Sequence, residues 1–346
     1  MQGPFPSLTS LKLQSADETL VVPDTFFSGS TPRLQYCRMD YIPFLALRTL
    51  LLSATRLVTL ELRRIPHSGY VSPEAMVTCL SAATSLESLQ LRFLSPRSRP
   101  DRRPPPFICT TLPALTNFYF HGVSEYLEDF ISRIDAPRID VVDITLFNQL
   151  TFDVSQLHQF VGRTENLSAL NVANVHLHDH YTRVELSQRM SAPRPRIGLS
   201  ARCDGSDWRL SFLAQACNSL SSHTVETLNV RENAYQSRTT PGGWEDGDVE
   251  NGQWLELFHP FTSVKNLYVS RKLVPLVMPA LQHLLAEERV TAVLSVLQNL
   301  YLEALQPSGP IRESIGQFVA ARQLFNHPVT VIPLDLDGRL RYMQDR

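Results

Sequence analysis

A short phrase of apolar positions, L-x-x-L-x-L, returns along the chain from its first residues to its last. Clean copies are Leu8-Leu11-Leu13, Leu57-Leu60-Leu62, Leu86-Leu89-Leu91, Leu167-Leu170-Val172 and Leu297-Leu300-Leu302. Looser copies begin at Leu34, Leu115, Ile139, Val225 and Val264, and two weaker ones at Arg194, with Ile197 and Leu199, and at Asn326, with Val329 and Val331. Successive starts lie about 29 residues apart on average, which divides nearly the whole chain into twelve units.

Inside each phrase the last two apolar positions alternate with polar ones, as in Leu60-Glu61-Leu62-Arg63 and Leu89-Gln90-Leu91-Arg92. That period of two predicts a short strand with one buried face and one wet face. Between phrases the signals are helical. Ser72-Pro73-Glu74 supplies an N-cap, a first-turn proline and a first-turn acid ahead of Ala75, Met76, Cys79 and Leu80. Ser124 with Glu125 opens a helix over Tyr126 to Ile134, Asp153 opens another over Val154 to Val161, and Leu210 to Leu220 continues the series. The apolar stretches Ile42 to Leu52 and Leu273 to Leu285, interrupted by Arg48 and by Pro275 and Pro279, suit buried helices better than membrane spans.

A strand and a helix recurring at one period, neither able to bury its own apolar face, predict a stacked α/β solenoid. Its strands would line a curved parallel sheet on the concave side, with the helices on the convex side. Consecutive βαβ units of a doubly wound sheet are a weaker reading, because strands buried on both faces read as continuous apolar runs. The single solenoid is expected over residues 1–346, with loop insertions near 95–107 and 237–253.

These phrases, about twelve irregular units in all, resemble leucine-rich repeats. More narrowly, FPSLTSLKL, ATSLESLQL and LPALTNFYF, with uneven spacing and frequent prolines, resemble the repeat regions of fungal F-box proteins. The resemblance implies a non-catalytic protein-binding module, the substrate-recognition part of a ubiquitin ligase adaptor, with ligase components as further partners if an F-box lies outside this chain. Two departures qualify it. The position three residues past the last leucine, usually Asn or Cys in such repeats, fits only at Asn233. An apolar residue there leaves the turn to satisfy its own backbone groups, so irregular coils are expected. An F-box would precede the repeats, yet Leu8 already belongs to the first phrase.

Composition sharpens this picture. Fifty leucines, one residue in seven, supply the repeat, and 43% hydrophobic with 19% charged residues exclude disorder along the whole length. With 32 basic and 34 acidic side chains the net charge is -2, so no global field concentrates nucleic acid. Five scattered cysteines, Cys37, Cys79, Cys109, Cys203 and Cys217, without a Cys-x-x-Cys motif, suggest reduced thiols in a cytoplasmic or nuclear protein. No signal peptide and no membrane partner are expected.

Candidate chemistry is sparse. His176, His178 and His180 with Asp179 are the one cluster of metal-ligand types, and alternate positions of an extended segment would place the three imidazoles on one face. A metal-dependent enzyme using that cluster is therefore an alternative, set against a solvated loop. No Gly-x-Ser-x-Gly motif and no phosphate loop occur, and no cofactor is expected. Ser95 to Phe107, basic and rich in proline, is either an extended ligand for a partner groove or a solvated loop. Thr239 to Gln253, with Glu245, Asp246, Asp248 and Glu250, accounts for the longest interval between phrases.

The solvent positions of the strands nominate the binding surface. Lys12, Arg38, Arg63, Arg92, Tyr119 and His121 give its first half a basic character, while Asn171, Asn229, Arg231, Tyr268 and Tyr301 make its second half more neutral and aromatic. Arginine and tyrosine dominate interface hot spots, so the concave face is expected to bind a protein. A free-standing scaffold or enzyme regulator of the same architecture is the other non-catalytic reading.

Overall fold

The computed structural model describes residues 5–16, 31–43, 47–95, 109–147, 152–178, 181–188, 195–202, 208–220, 222–232, 251–286, 293–303 and 309–334. The architecture is mixed α/β with predominantly parallel strands. The chain forms two compact units, Met1–Ser168 with Arg194–Ile197, and Ala169–Pro193 with Gly198–Arg346.

The first unit runs β1 (Ser10–Gln14), β2 (Tyr36–Asp40), α1 (Leu47–Ser53), β3 (Thr59–Ile65), α2 (Pro73–Leu80), β4 (Ser88–Phe93), β5 (Thr110–Thr111), β6 (Asn117–Gly122), α3 (Ser124–Ile131), β7 (Ile134–Asp135), β8 (Val141–Leu146), α4 (Ser155–Arg163) and α5 (Glu165–Ser168). Strands β1, β2, β3, β4, β6 and β8 lie side by side in that order, all parallel, and β5 pairs with β7 apart from them. The phrases stand in register. Cys37, Leu60, Leu89, Phe118 and Val142 form one buried row, and Met39, Leu62, Leu91, Phe120 and Ile144 the next. Each such side chain removed from water contributes about 1.5–3 kcal/mol.

Two backbone devices repeat with the phrases. The first apolar residue donates its N–H to the carbonyl three residues back: Leu34 to Thr31, Leu57 to Ala54, Leu86 to Ala83, Leu115 to Leu112 and Ile139 to Ala136. One carbonyl then accepts two successive N–H groups from the next phrase. Gln35 takes Val58 and Thr59, Val58 takes Glu87 and Ser88, Glu87 takes Thr116 and Asn117, and Thr116 takes Asp140 and Val141. These shared carbonyls satisfy the backbone N–H groups that lead into each strand.

The helices cover the leucine side. Consecutive helices α1 to α4 pack on one another, and Phe130 of α3 stacks on Phe118 of β6 with ring centroids 5.6 Å apart. Ser72 caps α2 as its sequence predicts, its Oγ accepting the Ala75 N–H at 3.3 Å. At α4 the Asp153 carboxylate accepts the Ser155 N–H, and Glu128 of α3 accepts those of Gln156 and Leu157 at 2.6 and 3.0 Å. A side chain from the preceding helix thus completes the N-terminus of the following one.

The second unit runs β9 (Val172–Leu177), β10 (Tyr181–Ser187), β11 (Arg196–Arg202, in this unit from Gly198), α6 (Arg209–Ser219), β12 (Thr227–Glu232), α7 (Asn251–Phe258), β13 (Asn266–Val269), α8 (Val274–Ala286), β14 (Asn299–Glu303), α9 (Pro310–Leu324) and β15 (Thr330–Leu334). Its strands are ordered β11-β10-β9-β12-β13-β14-β15. From β9 through β12 to β15 they are parallel, with Ala173, Leu228, Leu267, Leu300 and Val331 in one row. The shared-carbonyl device returns here at Asn171, Glu226 and Lys265.

This unit departs from the even repeat at one place. β10 pairs antiparallel with β9, and the His178 N–H donates to the Tyr181 carbonyl beside the connection. A short connection can join antiparallel strands but not parallel ones. The phrase pattern contains no term for this added strand. The register of β9 is also shifted by three residues from the phrase: Ala173 and Val175, rather than Leu170 and Val172, stand opposite Leu228 and Val230, and Val172 stands in the row of Thr227.

Of the expected insertions, residues 96–107 and 237–250 lie outside the described residues, and Asn251–Gln253 form the first turn of α7.

Candidate functional site: the open face of the strands

On the face opposite the leucine rows, the first unit presents ladders of polar side chains. One ladder is Lys12, Arg38, Glu61, Gln90, Tyr119 and Asp143, each directly across from the next. Lys12 is exposed, with its Nζ 5.2 Å from the centre of the Tyr36 ring, whereas Arg38 and Tyr119 are half-buried.

The arginines named from the sequence are not all free cations. Arg38 reaches Asp40 at 3.2 Å and Glu61 at 3.9 Å, and Arg63 reaches Glu61 at 2.9 Å while its Nε donates to Gln90 at 2.8 Å. Arg64, absent from the sequence expectation, bonds Asp40 through its Nε at 2.5 Å and lies over the Tyr41 ring. Burial works against ionisation of Asp40, but Arg64 and Arg38 outweigh it and hold the carboxyl below its usual range. The carboxylates are largely covered and the guanidinium groups partly open to solvent, so these pairs order the guanidinium groups on the surface. Arg92 is exposed with no ion-pair partner among the described residues, and His121, opposite it, rests its ring 4.6 Å from Phe147.

Arg64 escaped a strict alternation, which would turn it into the core. The signal was present: Leu60 and Leu62 are followed by the next apolar residue at Ile65, three positions on. Such a break marks a bulge, and the register shifts between Leu62 and Ile65.

The open face of the second unit is built from amides and aromatic rings. Asn299 Nδ2 donates to Asn266 Oδ1 at 2.9 Å, and Asn266 Nδ2 to Thr227 Oγ1 at 3.4 Å. In the next ladder Asn229 Nδ2 donates to Asn174 Oδ1 at 3.0 Å, followed by Tyr268, Tyr301 and Ile332. The tyrosine rings are stacked at 4.1 Å with planes 3° apart, both half-buried. Burial, with the neighbouring Tyr301, raises the pKa of Tyr268 to about 12. Arg231 is exposed, opposite His176.

Two expected surface residues are placed differently. Asn229 belongs to the open-face ladder but is buried, at 1% exposure. Asn171 precedes β9 rather than facing solvent within it. Its N–H bonds the Ser187 carbonyl, its own carbonyl takes Glu226 and Thr227, and its Oδ1 is buried. The cause is the three-residue shift of β9, an odd number, which moves every side chain to the opposite face.

Of the histidine cluster, His176 and His178 have ring centroids 6.3 Å apart, and His178 stacks on Tyr181 at 3.8 Å. Burial lowers the pKa of His176. His180 and Asp179 lie outside the described residues, among which no three His, Cys, Asp or Glu side chains converge. Within the first unit an apolar cleft lined by Met39, Ile42, Leu62, Phe93 and Tyr126 has room for little more than a water molecule. The buried Tyr126 hydroxyl has no hydrogen-bond partner among the described residues.

Among the described residues no helix is long and apolar enough to cross a membrane. The chain matches no protein-family model, and no curated protein matches it.

Proposed function

We propose that this chain is a leucine-rich-repeat solenoid that binds a protein on its concave sheet and carries out no catalysis. One observation carries the reading. Strand after strand seals one face with leucine and leaves the other as half-buried arginine, tyrosine and asparagine, held by side-chain contacts between neighbouring strands. Groups already ordered lose little entropy on binding, and a flat pair of tyrosines beside Ile332 offers apolar area with polar edges. The recurring turns and shared carbonyls support the repeat architecture.

By resemblance, the partner is the substrate of an F-box type ubiquitin ligase and this chain its recognition part. The other non-catalytic reading, a regulator of one enzyme, has the same surface and differs in the partner recovered. Affinity capture on the immobilised chain from native cells tests both. A protein retained by the natural sequence is expected to be lost by about tenfold or more from a Tyr268→Ala/Tyr301→Ala double variant. Full retention by that variant overturns the assignment of the surface. Ligase components in the captured material support the adaptor, and a single enzyme in stoichiometric amount supports the regulator.

A further inference from the structure

We infer that the open face of the first unit, at the bulge in β3, docks an extended acidic segment of a protein partner, with Arg38, Arg63, Arg64 and Arg92 as cationic anchors. The inference rests on the protein-binding reading and adds the chemistry of the partner.

The backbone creates the cluster. Leu62 pairs with Leu91 and Ile65 with Phe93, so two residues of β3, Arg63 and Arg64, stand against the single Arg92 of β4. Without the extra residue, alternation would send one of these arginines into the leucine core. Arg64 adopts φ 49°, a left-handed conformation that costs a non-glycine residue about 1 kcal/mol. Glycine would remove that strain but supply no cation. Tyr41, at the end of the adjacent strand, also has a positive φ of 60°, and its ring lies beneath the Arg64 guanidinium at 5.2 Å. Strained residues of this kind gather where a side chain must be aimed.

The charges do not balance within the cluster. Four guanidinium groups face two carboxylates, Asp40 and Glu61, which are already engaged by Arg38, Arg63 and Arg64. Two positive charges remain in excess. The side chain of Arg64 is 48% exposed, and Arg92 has no ion-pair partner among the described residues. A guanidinium carries five N–H donors, of which Arg64 commits one to Asp40, leaving outward donors for a second acceptor.

The layout selects an occupant. The anchors lie on three adjacent strands and therefore extend over about 10 Å, twice the spacing between strands. In an extended peptide, carboxylates at alternate positions are about 7 Å apart on one side, so two or three of them match this row. A single dianionic group would leave one end of it unpaired. Bidentate carboxylate–guanidinium pairing then fixes orientation as well as charge.

The test is fluorescence anisotropy of the full chain with a labelled peptide of alternating glutamate and serine, beside its glutamine counterpart and a phosphoserine peptide lacking glutamate. Only the glutamate peptide is expected to bind, more weakly as salt rises, because exposed charges are screened. Arg92→Gln and Arg64→Gln should each weaken it about fivefold, as expected for the loss of one exposed charge pair, while Lys265→Gln in the second unit leaves it unchanged. Unchanged thermal unfolding of the Arg92→Gln protein establishes that the loss is not one of folding. Equal binding of the glutamine peptide, or full affinity in both arginine variants, overturns the inference. Binding of the phosphoserine peptide alone overturns it in favour of a phosphate site. If these arms fail while capture of a partner still depends on Tyr268 and Tyr301, the acidic segment is wrong and the protein-binding reading stands.

Discussion

A half-buried glutamate and a fully buried arginine each join neighbouring structural segments. Glu128 closes the N-terminus of α4, where backbone N–H groups favour its carboxylate, yet desolvation wins and raises its pKa to about 7. The folded protein therefore holds this proton to a higher pH than the unfolded chain, whose glutamates titrate near 4.3. Between those values the unfolded state binds fewer protons, so the contribution of Glu128 to stability declines as pH rises and is lost above about 7. Urea unfolding at pH 5 and pH 8 is expected to show Glu128→Gln with less pH dependence than the natural protein, by about 1 kcal/mol, since solvent screens this half-buried carboxyl. In the second unit Arg322 of α9 is fully buried and donates through Nη2 to the carbonyls of Leu294, Ser295 and Leu297 at 3.2–3.3 Å. It satisfies a turn in which Leu294 has φ 51°. Arg322→Met keeps the bulk and removes the donors, so a loss of roughly 2–4 kcal/mol in chemical denaturation is expected.

At the scale of elements, strand and helix boundaries follow from local chemistry where a side chain caps them. The α2 cap is the direct case: Ser72→Ala should cost about 1 kcal/mol, seen as a lower unfolding midpoint with an unchanged denaturant slope. The α3 start differs from its sequence signal, because Ser124 is the first helical residue and is buried, with Val123 in the cap position. Glu128 could not be recognised as a cap from sequence spacing, since it serves a helix that begins 27 residues later. The β3 bulge is an element-level device as well, keeping Ile65 in the core beside Phe93 while placing two cations outward.

For the molecule as a whole, the two units distribute different chemistry over their open faces: ion-paired arginines in the first, and an amide ladder with stacked tyrosines in the second. The Tyr268→Ala/Tyr301→Ala variant used to test partner capture should fold normally. Both rings are half-buried on the open face, while Leu267, Leu300 and Leu302 supply the core beneath them. Equal unfolding midpoints for the variant and the natural protein would locate its effect in recognition.

The amino-acid order alone determined the strands of the regular phrases, because alternation about each of them allows only one face to be buried, as Leu60, Leu89, Phe118 and Val142 show. It also marked Arg38, Arg63, Arg92, Tyr268 and Tyr301 as outward-facing positions on those strands. Only the tertiary structure decided the full set of partners: Arg38 and Arg63 each pair with a carboxylate two residues away on their own strand, Asp40 and Glu61, but Glu61 also faces Arg38, Asp40 also binds Arg64, and Gln90 takes Arg63, all across neighbouring strands. It likewise decided the β9–β10 reversal and the register of β9 against β12, which turned Asn171 away from the face and set Asn229 against Asn174. Periodicity records the face that a single strand buries. Register, bulges and cross-strand partners depend on what lies alongside, which is fixed only when the strands assemble.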